Sequence, residues 1–312
     1  MSQVTKVATR SEVGRRPTFF YRSAREGMRD FLSNMQGLDS RGVLLPGFIG
    51  WSSKEGSGVY DPIQSLGISA GFYGLRADLT LDLNQIADLA KTREYGVLVV
   101  IHYFGRAETQ MAAVRKIADE FSLLLVEDLA HAFFTSMTGH SAGLFGDVNL
   151  YSLHKMFPMP IGGMVTYSSA SLVREQRSTM PDLANEVMSF DWEVISQMRR
   201  RNFVGLSSRL NAMPEAGERF QFLWPALNES DVPQTLPILI SGGERDAVYS
   251  SMNRNGYGMV SLYHTLIEEV RHSHPALQRL SRHIINFPLH QDVVNQDLDG
   301  LVDAFRIALN EL

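Results

Sequence analysis

Gly96-Val-Leu-Val-Val-Ile-His102 and Leu123-Leu-Leu-Val126 are two short apolar runs in this 312-residue chain, and the residues between them decide the fold. Continuous apolar runs of this length suit strands buried on both faces of a parallel sheet. Between them, Arg106 to Phe121 carries Val114, Ile117, Ala118 and Phe121 at helical spacing. Strand, helix and strand over about thirty residues form a βαβ unit, so the sheet is expected to be parallel here. Two further strands are expected at Val148 to Leu153 and, after a Pro/Gly-rich break, at Gly163 to Tyr167.

Upstream, Glu26 to Gln36 places Met28, Phe31, Leu32 and Met35 on one helical face. The helix opens on Ser23-Ala24-Arg25-Glu26, the spacing of a capping box. Residues 1–17 read as a loose arm. Beyond about residue 185 helical segments surround one or two strands, notably Pro237-Ile-Leu-Ile240. The last helix, Asp297 to Leu309, has Leu298, Leu301, Val302, Phe305 and Ala308 as its apolar face. The expected architecture is α/β: a mainly parallel sheet sandwiched by helices over residues 18–185, then a smaller α/β domain over residues 186–312.

A net charge of −5 and a pI near 6.0 argue against nucleic-acid or acidic-membrane partners, which favour basic surfaces. With no cysteine, disulfides, thiolate zinc sites and thiol nucleophiles are excluded. No apolar run is long enough to suggest a membrane span, and Met1 to Pro17 lacks the apolar core of a signal peptide. The expected address is the cytosol. The nine histidines form no recognisable metal spacing, and no Gly-x-Gly-x-x-Gly, Walker or Gly-x-Ser-x-Gly motif occurs.

Three elements remain as candidates, each with a simpler explanation beside the functional one. Asp128 ends a buried strand, where ligands gather in parallel sheets and where helix caps are equally common. Lys155 stands on a loop constrained by Pro158, Pro160, Gly162 and Gly163, which suits an amine that must meet an aldehyde repeatedly in one geometry. Spacing alone favours a lysine reaching from a strand end into water. The helix start at Ser23 offers amides and a partial positive charge to a phosphate, although a capping box accounts for Ser23 and Glu26 without a ligand.

Taken in order, these elements resemble the DegT-like family of pyridoxal 5′-phosphate (PLP) dependent sugar aminotransferases, within fold type I. Val126-Glu-Asp-Leu-Ala-His-Ala132 resembles the family's Glu-Asp-Ala-Ala-Gln-Ala. Gly143-Leu-Phe-Gly-Asp-Val148 followed by Tyr151-Ser152 resembles its Gly-x-x-Gly-Asp turn and Phe-Ser strand. Gly162-Gly163 and Phe287-Pro-Leu-His-Gln-Asp292 resemble later segments, and Pro158-Met-Pro-Ile-Gly-Gly163 resembles a branch with a shorter lysine loop. Lys155 is the only lysine between Lys116 and the C-terminus.

The resemblance implies that Lys155 carries PLP as a Schiff base and shuttles the proton. It implies that Asp128 keeps the pyridine nitrogen protonated, and that His131 stands where the family has Gln, near the ring hydroxyl. Ser152 and the amides of Ser23, Ala24 and Arg25 would hold the phosphate, with Ala24 where the family has Gly. The stacking ring is expected from Trp51, with Phe48 nearby and Gly50 at the usual aromatic position. A homodimer is implied, with Asn202 reaching the partner's phosphate. The implied activity is transfer of an amino group from glutamate or a similar donor to a nucleotide-linked keto-sugar. The alternatives are another PLP reaction or a non-sugar substrate, and a non-catalytic relative with a binding or regulatory role.

Overall fold

The computed structural model describes residues 16–36, 40–173, 180–243 and 245–311. Most of the N-terminal arm, residues 1–15, lies outside them. The larger sheet is built from β1 (Thr18–Tyr21), β2 (Gly42–Pro46), β3 (Ala70–Tyr73), β4 (Tyr95–Ile101), β5 (Leu124–Asp128), β6 (Val148–Ser152) and β7 (Gly163–Tyr167). Its helices are α1 (Ala24–Gln36), α2 (Tyr60–Ser65), α3 (Leu83–Lys91), α4 (Met111–Phe121) and α5 (Phe133–Met137). Strand order is β1-β7-β6-β5-β4-β2-β3. Neighbours from β3 through β6 are parallel, while β7 is antiparallel to both β6 and β1.

The βαβ unit read from the sequence is therefore present, and its strands are buried on both faces. Its helix starts later than expected, at Met111 rather than Arg106. The chain leaves β4 through a one-turn 3₁₀ segment, Tyr103–Gly105, with Phe104 at φ 54° and Gly105 at φ 93°. The backbone N–H of Ala107 then donates to Asp231 at 3.0 Å rather than entering a helix. A left-handed pair cannot continue a right-handed helix.

β1 had no clear signature because it is a four-residue edge strand. Its placement matters more than its length. It runs antiparallel to β7, which runs antiparallel to β6, so β1 and β6 point the same way. The chain leaving β1 thus delivers the amino end of α1 to the edge of the sheet where β5 and β6 end. Gly27 packs α1 onto β7 so closely that a Cβ there would meet Val165 at 2.5 Å.

The C-terminal half continues with α6 (Pro181–Met188), α7 (Trp192–Asn211), β8 (Phe220–Phe222), β9 (Thr235–Ile240), α8 (Arg245–Arg254), α9 (Glu268–Ser273), α10 (Pro275–His283), β10 (Ile284–Pro288) and α11 (Asn295–Asn310). β8, β9 and β10 form a separate antiparallel sheet. Its core joins Phe203, Leu206 and Leu210 of α7 to Leu298, Leu301 and Phe305 of α11, the stripe expected at the end of the chain. The start of α7 belongs elsewhere: Ile195 packs with Leu183, Phe133 and Phe157 against the large sheet. Asp191 caps α7 by accepting from the Val194 amide at 3.0 Å.

Candidate active site

Asp128, Ser152 and the lysine loop meet at the carboxyl edge of the large sheet because β5 and β6 are adjacent and in register, Asp128 opposite Leu150. The amino end of α1 joins them. Ser23 pairs with Gly162, and a Cβ on Gly163 would fall 2.2 Å from the Ser23 carbonyl carbon. Only glycine permits that approach. The Glu26 amide donates to Ser23 Oγ at 3.2 Å, one half of the expected capping box. The other half reaches one residue further, since Glu26 Oε2 accepts from the Arg22 amide at 2.9 Å. The carboxylate is thereby engaged by the residue just before Ser23. Arg25 hydrogen-bonds the Glu55 carbonyl and pairs with Asp61 at 3.4 Å.

Lys155 follows β6 on a 3₁₀ turn, Leu153–Lys155. The residue as a whole is exposed, while nearby protein desolvates its amine. Its Nζ lies 3.1 Å from His131 Nε2. Burial pushes the amine pKa below the usual lysine value; Asp128 and Glu55 oppose that shift, and Arg25 adds to it.

Asp128 is 5% exposed. Its Oδ1 accepts from the Ala130 amide at 2.9 Å, while Oδ2 meets no donor among the described residues. Burial raises its pKa, against the pull of the Ala130 amide, Lys155 and His102. A buried carboxylate with one oxygen unpartnered fits a site that receives a cationic donor.

Glu127, one position earlier, faces the other side of the strand. Its Oε2 accepts from His102 Nε2 at 2.9 Å and the Gly143 amide at 2.8 Å. Its Oε1 accepts from the amides of Phe145 and Gly146 at 2.7 and 2.6 Å. Burial would push this carboxyl up, but His102 and the amides outweigh it and hold the group below the usual range. Of the Glu-Asp pair, one carboxylate is saturated and organises the Gly143–Asp147 turn, whereas the other is left open. Glu127→Gln is expected to cost roughly 2–4 kcal/mol, because an amide NH₂ would face a donor in a site closed to water. A denaturant titration near neutral pH measures it. With a depressed native pKa, the stability Glu127 contributes is present above its unfolded value and lost as pH falls through the native one. The variant's deficit should therefore shrink in acid.

The other predicted residues divide. Ser152 is buried, with Oγ 3.4 Å from His154 Nδ1. Trp51 is 43% exposed on a segment held by its amide to the Thr265 carbonyl at 2.9 Å. Phe48 is committed to the interior, stacked on Tyr263 at 4.8 Å and 20°. Asn202 requires a correction. It is fully buried, and its amide nitrogen donates to the carbonyls of His290 and Val293 at 3.1 and 2.9 Å. It ties α7 to the segment after β10 and cannot reach outward to a partner's phosphate.

Sequence reasoning missed Tyr263 and Phe104. The Tyr263 ring stands edge-on to His131 at 5.8 Å, and burial followed by the Asp128 charge pushes its hydroxyl pKa well up. Phe104 lies parallel to His131 at 6.1 Å. Neither stands in a motif; only the fold brings them to His131. A cavity of about 470 Å³ lined by Leu32, Arg41, Ile68 and Val97 opens at the amino ends of β2 and β4, the opposite edge, and contains none of these groups. Among the described residues no cluster of three or more metal-ligating side chains occurs, and no helix is long and apolar enough to cross a membrane.

Residues 57–216, half of the chain, match the model of the DegT/DnrJ/EryC1/StrS aminotransferase family. GDP-perosamine synthase of Vibrio cholerae is 33% identical over 78 residues, 24% of this chain and 21% of that protein. The lipopolysaccharide biosynthesis protein RfbH of Salmonella typhimurium is 33% identical over 90 residues, 28% of this chain and 20% of that protein. The matched stretches thus span about a fifth of these curated relatives. Among solved structures, PseC of Helicobacter pylori, an aminotransferase involved in pseudoaminic acid biosynthesis, superposes with a TM-score of 0.76 at 14% identity, covering 95% of this chain and 87% of PseC. The aminotransferase TlmJ of Streptoalloteichus hindustanus gives 0.74 at 18% identity, with 94% and 86% covered. At such identities these likenesses establish the fold, a large parallel-sheet domain with a smaller C-terminal unit.

Proposed function

This chain belongs to the DegT/DnrJ/EryC1/StrS aminotransferase family, and from that premise we propose that it is a PLP-dependent aminotransferase anchoring its cofactor on Lys155. The observation that carries the reading is an amine and a carboxylate close enough to act on each other's charge, neither held in an ion pair among the described residues. Lys155 contacts the neutral His131, and one oxygen of Asp128 is free of donors among the described residues. The fold is shared with a Streptococcus pneumoniae protein solved in PLP and PMP forms.

The bound cofactor supplies an aldehyde that carries the amino group and a ring that takes up electrons from the substrate carbon. Every other part belongs to the chain. Asp128, fixed by the Ala130 amide, stabilises positive charge on the ring nitrogen. Ser152, Ser23, Ala24 and Arg25 bind the phosphate, with the partial positive charge of the α1 amino end behind them. Trp51 supplies the ring that stacks on the cofactor, an exposed side chain free to do so. Lys155 Nζ takes a proton from the donor's Cα and returns it, a role suited to an amine with a lowered pKa. The substrate reading is glutamate or a similar donor and a nucleotide-linked keto-sugar acceptor, supported by the names of the relatives. The working form is a cytoplasmic homodimer.

Incubation with PLP followed by borohydride reduction should place a phosphopyridoxyl group on the peptide containing Lys155. An adduct on another side chain, or none, ends the proposal. Added glutamate should then convert bound cofactor to the pyridoxamine form, which separates transamination from other PLP reactions. Light scattering should give twice the mass of the chain, 34.9 kDa per copy.

A further inference from the structure

Both ring nitrogens of His131 face a nitrogen. The Phe104 amide points at Nδ1 from 3.4 Å, and Lys155 Nζ lies 3.1 Å from Nε2. A neutral imidazole has one N–H and one lone pair, so the two neighbours cannot both donate. The Phe104 amide has no freedom to turn away. Its residue sits at φ 54°, and its carbonyl accepts from the Gln234 amide at 2.8 Å. Gly105 beside it is pressed so tightly against the segment before β9 that a Cβ would lie 2.5 Å from the Val232 carbonyl oxygen. The Gly105 carbonyl also accepts from Thr135 Oγ1. A proton on Nδ1 would set two N–H groups against each other.

We infer that the backbone amide of Phe104 fixes His131 as the Nε2–H tautomer, so that His131 donates to Lys155 and holds it as the free amine. His131 is thus a positioning residue for the proton state of the lysine, and the strap from the C-terminal half is what orients it. The ring is kept in place by Phe104, parallel at 6.1 Å, and by Tyr263, edge-on at 5.8 Å. Burial keeps the imidazole uncharged. The other charged and titratable groups acting on the amine come from several elements. Asp128 at the end of β5 and Glu55 before α2 favour the ammonium, while Arg25 on α1 disfavours it. His154, next in the turn, is itself pushed down by burial. The inference concerns only atoms of this chain and stands whether or not the cofactor reading does.

Two measurements on the full chain without cofactor test it. Long-range ¹H–¹⁵N correlation of histidine-labelled protein near neutral pH should show His131 protonated at Nε2. Protonation at Nδ1, or at both nitrogens, overturns the inference. Trace acetylation across pH, with the Lys155 peptide read by mass spectrometry, gives the amine pKa. In His131→Phe that pKa should rise by roughly half to one unit, the loss of one donor to the neutral form. A more apolar ring alone would push it down, so a rise reports the lost hydrogen bond; an unchanged or lower value overturns the inference.

Discussion

Lys155→Ala is expected to lower amino-group transfer by roughly three orders of magnitude or more, because one substitution removes both the anchoring amine and the proton carrier. Single-turnover conversion of glutamate, followed by cofactor absorbance, measures this, and activity within tenfold of the unsubstituted chain would reject the assignment. The fold should not suffer. Among the described residues the side chain makes one hydrogen bond, to His131, and its amine is held below the usual pKa by burial. For a base, a lowered native pKa means that stability is lost as pH falls below the unfolded value, so at neutral pH the residue is a net burden. The thermal midpoint of the cofactor-free variant should equal or exceed that of the original chain.

Asp128→Asn carries the second large effect, with an opposite signature in the two states. A charged hydrogen bond of about 1.5–3 kcal/mol to the ring nitrogen is lost, roughly ten- to hundredfold in cofactor affinity or turnover. Equilibrium dialysis with PLP and steady-state rates check this. Without cofactor the variant should be more stable near neutral pH. Burial raises the Asp128 pKa, so its contribution is most favourable below the unfolded value and is lost as pH rises through the native one. Asparagine keeps the acceptor for the Ala130 amide without the buried charge. Added PLP should therefore stabilise the original chain far more than the variant. Equal stabilisation of both would remove Asp128 from the site.

Much of this site was legible because its parts lie close together in sequence. The runs at 96–102 and 123–126 specify parallel strands through burial on both faces, and a parallel sheet directs its ligands to the strand ends where Asp128 and Ser152 stand. Lys155 gained meaning only from its resemblance to a family, since a lysine after a strand is chemically ordinary. What could not be read depends on long-range contact. The kink at Phe104 and Gly105 comes from a segment more than a hundred residues downstream, so the pattern from Arg106 still looked helical. Tyr263 reaches His131 from the C-terminal half with no local signal. Asn202 has a plausible neighbourhood in sequence, but its hydrogen bonds to the segment after β10 commit it to the interior. Glu127 and Asp128 look equivalent as letters; which one is saturated with donors depends on the turn at 143–146.

The edge strand β1 has a further consequence, in the timing of assembly. Thr18 pairs with Thr166 and Tyr21 with Gly163. During synthesis β1 must wait until its partner β7 has left the ribosome, long after the central strands can join. Contacts of such sequence separation form slowly. A nascent chain ending before residue 163 has its aspartate and lysine but lacks the strand that docks the first helix against them. Competence to retain a phosphorylated ligand should therefore appear abruptly along a series of C-terminally shortened translation products, as the strand at 163–167 is completed.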